Sequence, residues 1–440
     1  MNYFKLSTKP MSNVQNNINS FTGFLFGILA LVLVSMTHPQ KSHAQSQIVE
    51  QELLQKYINM AIENNAGLRA GALSIESMRL QSRINGVLGD PQLEVEYDIW
   101  SRMDPMDRFR FSVMQPIPWF GKLRTTRTFY NQLTEVETAR LDATRNELVY
   151  EIRNTWYELH EWEHHVHITL ENLEFLEQLE KQIITRLETG RASQLDMLRL
   201  TIEREMLKNQ LGGFEDRVQG LIGQFNALLN RPANAEIEIQ YELQPETIPD
   251  RYKRQLDFNQ NPDIATLDRS ITASETAIEQ ARLDGRPDFM VGVGLMNRDL
   301  LLGDPDRLNT VELMFRMNLP VNRRAYRARE QRARIESQMI QETKTELKNR
   351  LSGEFQQAQR QLETAMRTQK LYRESLIPLT EQALELALSA YSSGADVFEQ
   401  LIQLQRQIQE YWMMYNTAVA EHNMALARMD FLTGESPYTF

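Results

Sequence analysis

The chain has 440 residues, with 42% apolar and 24% charged, a globular and not a disordered composition. It contains no cysteine, which excludes disulfides, thiolate metal sites, a cysteine nucleophile and a lipidated N-terminal cysteine. The net charge of -11 argues against nucleic acid as a partner, because phosphate-backbone binding needs a basic surface.

In chain order, Lys5 and Lys9 precede an apolar run from Phe21 to Met36, and Ser42-His43-Ala44 places small residues at a cleavage site. Residues 1–44 therefore read as a secretory signal peptide; a single membrane anchor is the alternative, for which the run is short. Removing them takes away three lysines and no acid, so the mature chain is three charges more negative. No later apolar run is long enough for a membrane-spanning helix.

The rest of the sequence repeats. Asn65, Leu68, Gly89 and Pro91 recur 196 residues later as Asn261, Ile264, Gly285 and Pro287. Pro118 then matches Pro320 and Gly190 matches Gly394, at offsets that grow slightly, as unequal loops require. The expected organisation is a first repeat over 45–232, a connector over 233–258 with a short strand at Glu236–Tyr241, a second repeat over 259–434, and a tail at 435–440.

Each repeat opens with a helical segment and continues with two alternating segments. Leu93, Val95, Tyr97 and Ile99 alternate with acids, and Phe109, Phe111 and Val113 alternate with Arg108, Arg110 and Ser112. In the second repeat, Val291 and Val293 alternate with Gly292 and Gly294, and Val311, Leu313 and Phe315 with Glu312, Met314 and Arg316. Period two over eight to ten residues predicts strands with one apolar and one polar face. Asp104-Pro105 and Asp304-Pro305 mark the intervening turns. Tyr97, Trp100, Trp119 and Phe120 fall near strand ends, where an interfacial aromatic girdle belongs.

The helices that follow carry heptads. One seam is Leu148, Ile152, Thr155, Leu159, Trp162, Val166, Thr169, Leu173 and Leu176; a second runs from Leu207 to Leu228. The second repeat continues 4,3 spacing through Leu351, Phe355, Ala358, Leu362, Ala365, Gln369, Tyr372, Leu376, Leu379, Ala383, Leu386 and Ala390. A last seam runs from Leu401 to Leu432. Pro118 to Gly190 and Pro320 to Gly394 each predict one helix of roughly 110 Å. Gly190 and Gly394 end these helices, with Ser193 and Asp396 as the N-caps of the next.

Four amphipathic strands do not close a barrel, so the chain must pool its strands with other copies, and an apolar outer face calls for lipid. The lipid-facing set expected here is Leu93, Val95, Tyr97, Ile99, Phe109, Phe111, Val113, Val291, Val293, Val311, Leu313 and Phe315. A soluble periplasmic adaptor or coiled-coil scaffold is the alternative.

The duplicated unit, with Gln115-Pro116-Ile117-Pro118-Trp119-Phe120-Gly121-Lys122, Thr189-Gly190-Arg191-Ala192-Ser193-Gln194-Leu195-Asp196-Met197-Leu198 and Asn226-Ala227-Leu228-Leu229-Asn230-Arg231-Pro232, resembles the TolC-type outer-membrane efflux proteins across the whole mature chain. The resemblance implies a mixed α/β membrane protein. In it the duplicated strand–strand–long-helix unit forms a trimeric twelve-stranded outer-membrane β-barrel, continued by a long periplasmic α-helical coiled-coil barrel. It implies a homotrimer in outer-membrane lipid that docks a periplasmic adaptor (a membrane fusion protein) and an inner-membrane pump. The expected function is the exit duct of a tripartite efflux or export system, with metal cations or small toxic compounds as substrates. The docking tips would be Thr189, Gly190, Arg191, Ser193, Asp196, Ser393 and Gly394. The gate would be Tyr391, Asp396, Glu399, Gln400 and Gln403, with amides at Gln400 and Gln403 where the family carries carboxylates.

No catalytic constellation is present, and neither cofactor nor metal is expected. His160, His164 and His167 form a helical stripe beside His165, read as solvated and not as a metal site; His422 reads as a satisfied core residue. Tyr438 and Phe440 mimic a barrel-assembly signal, but they follow a helix.

Overall fold

The computed structural model describes residues 43–98, 108–188, 193–239, 243–253, 258–297 and 310–435. The chain divides into Met1–Gln51 and Glu52–Phe440. The cleavage region up to Ser42, both strand-turn tips, Trp100 and the C-terminal aromatics lie outside the described residues.

One order of elements occurs twice. In the first copy, α1 (His43–Asn64) and α2 (Ala66–Asn85) precede strands β1 (Gln92–Asp98) and β2 (Arg108–Ile117), then α3 (Lys122–Glu188) and α4 (Gln194–Leu228). The second copy has α5 (Pro262–Leu283), β3 (Phe289–Asn297), β4 (Thr310–Met317), α6 (Arg323–Leu371), a π turn at Tyr372–Leu376, α7 (Ile377–Ser393) and α8 (Phe398–Thr433). The same device closes both copies. Asn65 caps α2 through Leu68 N and donates to Leu228 O at 3.4 Å. Asn261 caps α5 and donates to Leu432 O at 3.0 Å. One amide thus covers a free N–H at one helix start and a free carbonyl at another helix end.

The strands form one antiparallel sheet in the order β1-β2-β3-β4. Its central ladder, β2 with β3, joins the two repeats. At 67 residues, α3 is continuous and about 100 Å long. Its seam is buried as the heptads require, with Leu148, Ile152, Leu159 and Leu176 inside. Trp156 is fully buried against Tyr57 of α1 and Phe225 of α4.

The second long helix runs without a break from Arg323 to Ser393, as expected, but it contains a π turn that the heptads do not predict. After the 49 residues of α6, Ile377 N bonds to Tyr372 O, five residues back. Pro378 explains the wider turn: it has no N–H, and its ring would strike the carbonyl of Glu374 in a regular helix. The extra residue moves the seam by one. Leu351 to Ala365 are buried as expected, but beyond the turn the buried positions are Ile377 and Tyr391, with Leu384 and Leu388 half-buried. Leu379 and Leu386, expected inside, are 62% and 73% exposed.

The connector also differs from expectation. Residues 236–239 form no strand; 240 and 241 lie outside the described residues. Instead of a ladder partner, Glu238 N donates to Tyr57 Oη and Glu236 O accepts from Arg231, while Ile237 and Ile239 pack on the helices. Further along, buried Arg153 of α3 donates to Asp430 of α8 at 2.6 Å and to Glu246 of the connector at 3.0 Å. Arg251, Tyr252, Tyr157, Asn423 and His422 complete this network.

Candidate functional site

Alternation in the sheet controls which environment each side chain meets. The register aligns Leu93, Val113, Val293 and Leu313 across all four strands, and likewise Val95, Phe111, Leu295 and Val311. Directly paired residues share a face, so these rows form one apolar face. Its residues stand exposed in the single chain, Leu313 at 87%. Phe109 is half-buried and packs on Tyr97 and Phe111; Ile99 lies outside the described residues. Leu295 and Met317 belong to the same face and were absent from the expected set. Phe315, Phe289 and Trp119 run as a ring series along this face, with centroids 5.7 and 5.6 Å apart.

The opposite face is polar and tightly packed. Arg110 pairs with Glu96 and, at 3.1 Å, with Glu312; Arg316 reaches Glu94 at 3.5 Å. Ser112, Met114 and Met296 are buried among these pairs. A Cβ at Gly292 would lie 2.5 Å from Val113 O, so only glycine lets Met114 fill that side. A face with charges and a face of exposed aliphatics, back to back on one sheet, separates water from an apolar medium.

At the first tip, Thr189, Gly190 and Arg191 lie outside the described residues. Ser193 is the N-cap of α4, as expected. Asp196 completes a capping box by accepting from Ser193 N at 3.2 Å, and it is buried. At the second tip, Gly394 ends α7 at φ 103°, and Ala395 N returns to Ala390 O. Ser393 is exposed there and bonds back to Ala390 O. Asp396 is not the N-cap expected of it. Helix α8 begins at Phe398, and its cap position Val397 provides no side-chain bond. The second tip thus lacks the side-chain lock of the first.

The residues expected at a gate separate into two environments. Tyr391 is buried against Phe398, with Arg186 of α3 4.2 Å above its ring. Burial pushes its hydroxyl pKa up, with Arg186 opposing. Asp396, Glu399, Gln400 and Gln403 are exposed. Glu399 pairs with Arg199 of α4 at 3.2 Å, and Arg186 donates to Ser392 O at 2.8 Å. Arg406 grips Glu203. The second hairpin is thereby fastened to the first.

The histidine stripe is not solvated as expected. His160 and His165 are buried, not solvated, because α3 packs against both α4 and α8 and so buries a wider arc than one seam. His160 sits edge-on to Trp156, and burial followed by repulsion from His164 lowers its pKa to about 3. His164 accepts from Leu243 N, and burial lowers its pKa to about 4. His165 lies 3.4 Å from Thr417 Oγ1. His167 alone is exposed, paired with Glu171. Among the described residues no three His, Asp or Glu side chains are grouped to hold a metal ion. His422 is a core residue as expected, but only half satisfied: Nε2 lies 2.9 Å from Glu246 O, while Nδ1 is buried without a hydrogen-bond partner.

No known family profile and no curated protein matches the chain by sequence. Solved structures do match it by fold. A membrane protein from Pseudomonas aeruginosa aligns with a TM-score of 0.73 at 19% identity, over 87% of this chain and 93% of that one. The outer membrane protein VceC from Vibrio cholerae aligns at 0.72 and 14% identity, over 87% and 96%. The CmeC outer membrane channel from Campylobacter jejuni aligns at 0.73 and 14% identity, over 87% and 86%. The chain has the fold of the TolC-type outer-membrane channels that its sequence resembles.

Proposed function

We propose that the protein is an outer-membrane channel, the exit duct of a tripartite efflux or export system that carries substrate outward from an inner-membrane pump and a periplasmic adaptor. The observation that carries this reading is the sheet, whose exposed apolar face lies opposite an ion-paired face. Such a sheet needs lipid on one side and water on the other. Its outer strands β1 and β4 have no further partner among the described residues. Three copies joined edge to edge make a barrel of twelve strands, and lipid tolerates no open edge.

The helices support the same assembly. Leu195, Leu198, Ile202 and Met206 form an exposed apolar stripe on α4, and Leu379 and Leu386 form another on α7. A homotrimeric coiled-coil barrel covers both. The duct rests closed, with Tyr391, Asp396, Glu399, Gln400 and Gln403 at the constriction. Docking of an adaptor at the tips around Ser193, Asp196, Ser393 and Gly394 opens it. Metal cations or small toxic compounds are the proposed cargo.

The test is membrane fractionation of cells making the protein, followed by cross-linking in detergent. Recovery in outer-membrane fractions as a trimer is the expected result. Recovery from the soluble periplasm without detergent overturns the reading in favour of a periplasmic adaptor or scaffold.

A further inference from the structure

We propose that the foot of the sheet carries a basic collar that binds the headgroups of anionic glycerophospholipids; the proposal rests on the membrane reading above. The chain as a whole is acidic, at -11. Yet residues 316–334 hold seven arginines and a single acid, Glu330. The equivalent stretch of the first repeat, 117–134, holds Lys122, Arg124 and Arg127 and no acid. Both stretches occupy one place in the fold, where the chain leaves the sheet through Pro118 or Pro320 and enters a long helix.

Internal pairing uses only part of this charge. Lys122 binds Asp288 at 2.8 Å, and Arg332 and Arg334 bind Glu336 and Glu330, each at 2.8 Å. Arg323, Arg324 and Arg327 are exposed and form no ion pair among the described residues. Neither α3 nor α6 has an acid in its first turn, although a helix start favours negative charge. Cations stand at both starts, and at the start of α6 the fold leaves Arg323, Arg324 and Arg327 without a counter-charge among the described residues.

The neighbours of these arginines identify the anion. Phe120, Leu319 and Val321 are 81%, 67% and 83% exposed. Trp119, next to Phe120, stacks on Phe289 at the edge of the apolar sheet face. The order along the molecule is therefore apolar face, aromatic rings, exposed aliphatics, arginines. That is the order hydrocarbon, interface, headgroup at the rim of a bilayer. Exposed aliphatics beside an aqueous passage have no such partner. Guanidinium groups bind phosphate oxygens in a fork, and a headgroup without its own cation leaves the phosphate free for them.

The test compares retained lipid by native mass spectrometry of the detergent-purified protein, given equal phosphatidylglycerol and phosphatidylcholine with the same acyl chains. The parent should retain phosphatidylglycerol in excess, at about fivefold for each engaged arginine at low salt, and raised salt should abolish the excess. Arg323→Gln/Arg324→Gln/Arg327→Gln should lose the preference, while Arg360→Gln, an exposed arginine far along α6, should keep it. Both variants and the parent should float with phosphatidylcholine liposomes after reconstitution. Equal retention of the two lipids by a parent that floats overturns the collar alone. A parent that does not float overturns the membrane reading and the collar together. A triple variant that keeps its lipid preference but shifts the anion/cation reversal potential places these arginines in the aqueous duct and overturns the proposal.

Discussion

The two hairpins descend from one sequence plan and differ in how they are held. The first has a continuous α3 of 67 residues and a tip closed by the Ser193–Asp196 capping box. The second contains a π turn at Tyr372–Leu376 and has no side-chain cap on α8. The first is bound to the connector and to α8 through buried Arg153. The tip of the second is bound to the first through Arg186 and through the exposed Arg199–Glu399 pair. A duplicated unit thus ends in two differently built tips, and the second rests on the first through buried Tyr391, Phe398 and Leu401 as well as through Arg186, Arg199 and Arg406.

The largest expected effect lies in the first hairpin. Arg153→Ala leaves half-buried Glu246 without a cation and buried Asp430 with Arg251 alone, and should destabilise the protein by about 3 kcal/mol. Thermal unfolding followed by tryptophan fluorescence measures it. A change below about 1 kcal/mol would mean that water reaches this network.

The next effect is pH dependence in the same hairpin. His160 and His164 have folded pKa values of about 3 and 4, below the ordinary 6.5. Their neutral forms are favoured in the fold, so their contribution is full above pH 6.5 and falls as pH drops below it. At pH 5 each should cost about 2 kcal/mol relative to pH 7. Glu161 and Glu421, whose pKa values burial raises, act in the opposite direction. The comparison is therefore with His160→Leu, whose melting temperature should fall less between pH 7 and 5 than that of the parent. Equal slopes would show that His160 titrates normally.

The smallest stability effect lies at the second tip. Arg186→Ala removes the cation from Tyr391 and the bond to Ser392 O, about 1 kcal/mol in all. Its readout is conductance: the variant should leak in planar bilayers where the parent is closed. An unchanged closed state would mean that Arg186 does not hold the second hairpin.

Much of this was legible in the sequence because it depends on local rules. Alternation in 93–97 and 109–113 marks the sheet faces, Gly394 the end of α7, and Ser193 the start of α4. What was not legible depends on contacts between elements. Pro378 was visible, but the one-residue slip it causes, which exposes Leu379 and Leu386, follows from how the turn widens. His160 lies off the seam of its own helix and is buried because two other helices flank α3. The connector at 236–239 has strand-like alternation, yet Tyr57 and Arg231 take up its backbone groups. Asp396 is a good capping residue by type, one position before the cap of the helix that forms, Val397.

If one face of the sheet meets lipid and the other water, a charge placed on either face at adjacent positions must affect outer-membrane assembly unequally. Val95 lies on the exposed apolar face, and Glu96 on the face where Arg110 pairs with it. Val95→Arg should cost about 2–4 kcal/mol at mid-bilayer and strongly reduce heat-modifiable trimer in outer-membrane fractions, whereas Glu96→Arg should assemble at near parental levels. Equal assembly of the two variants, or a greater loss for Glu96→Arg, would contradict the assignment of the faces.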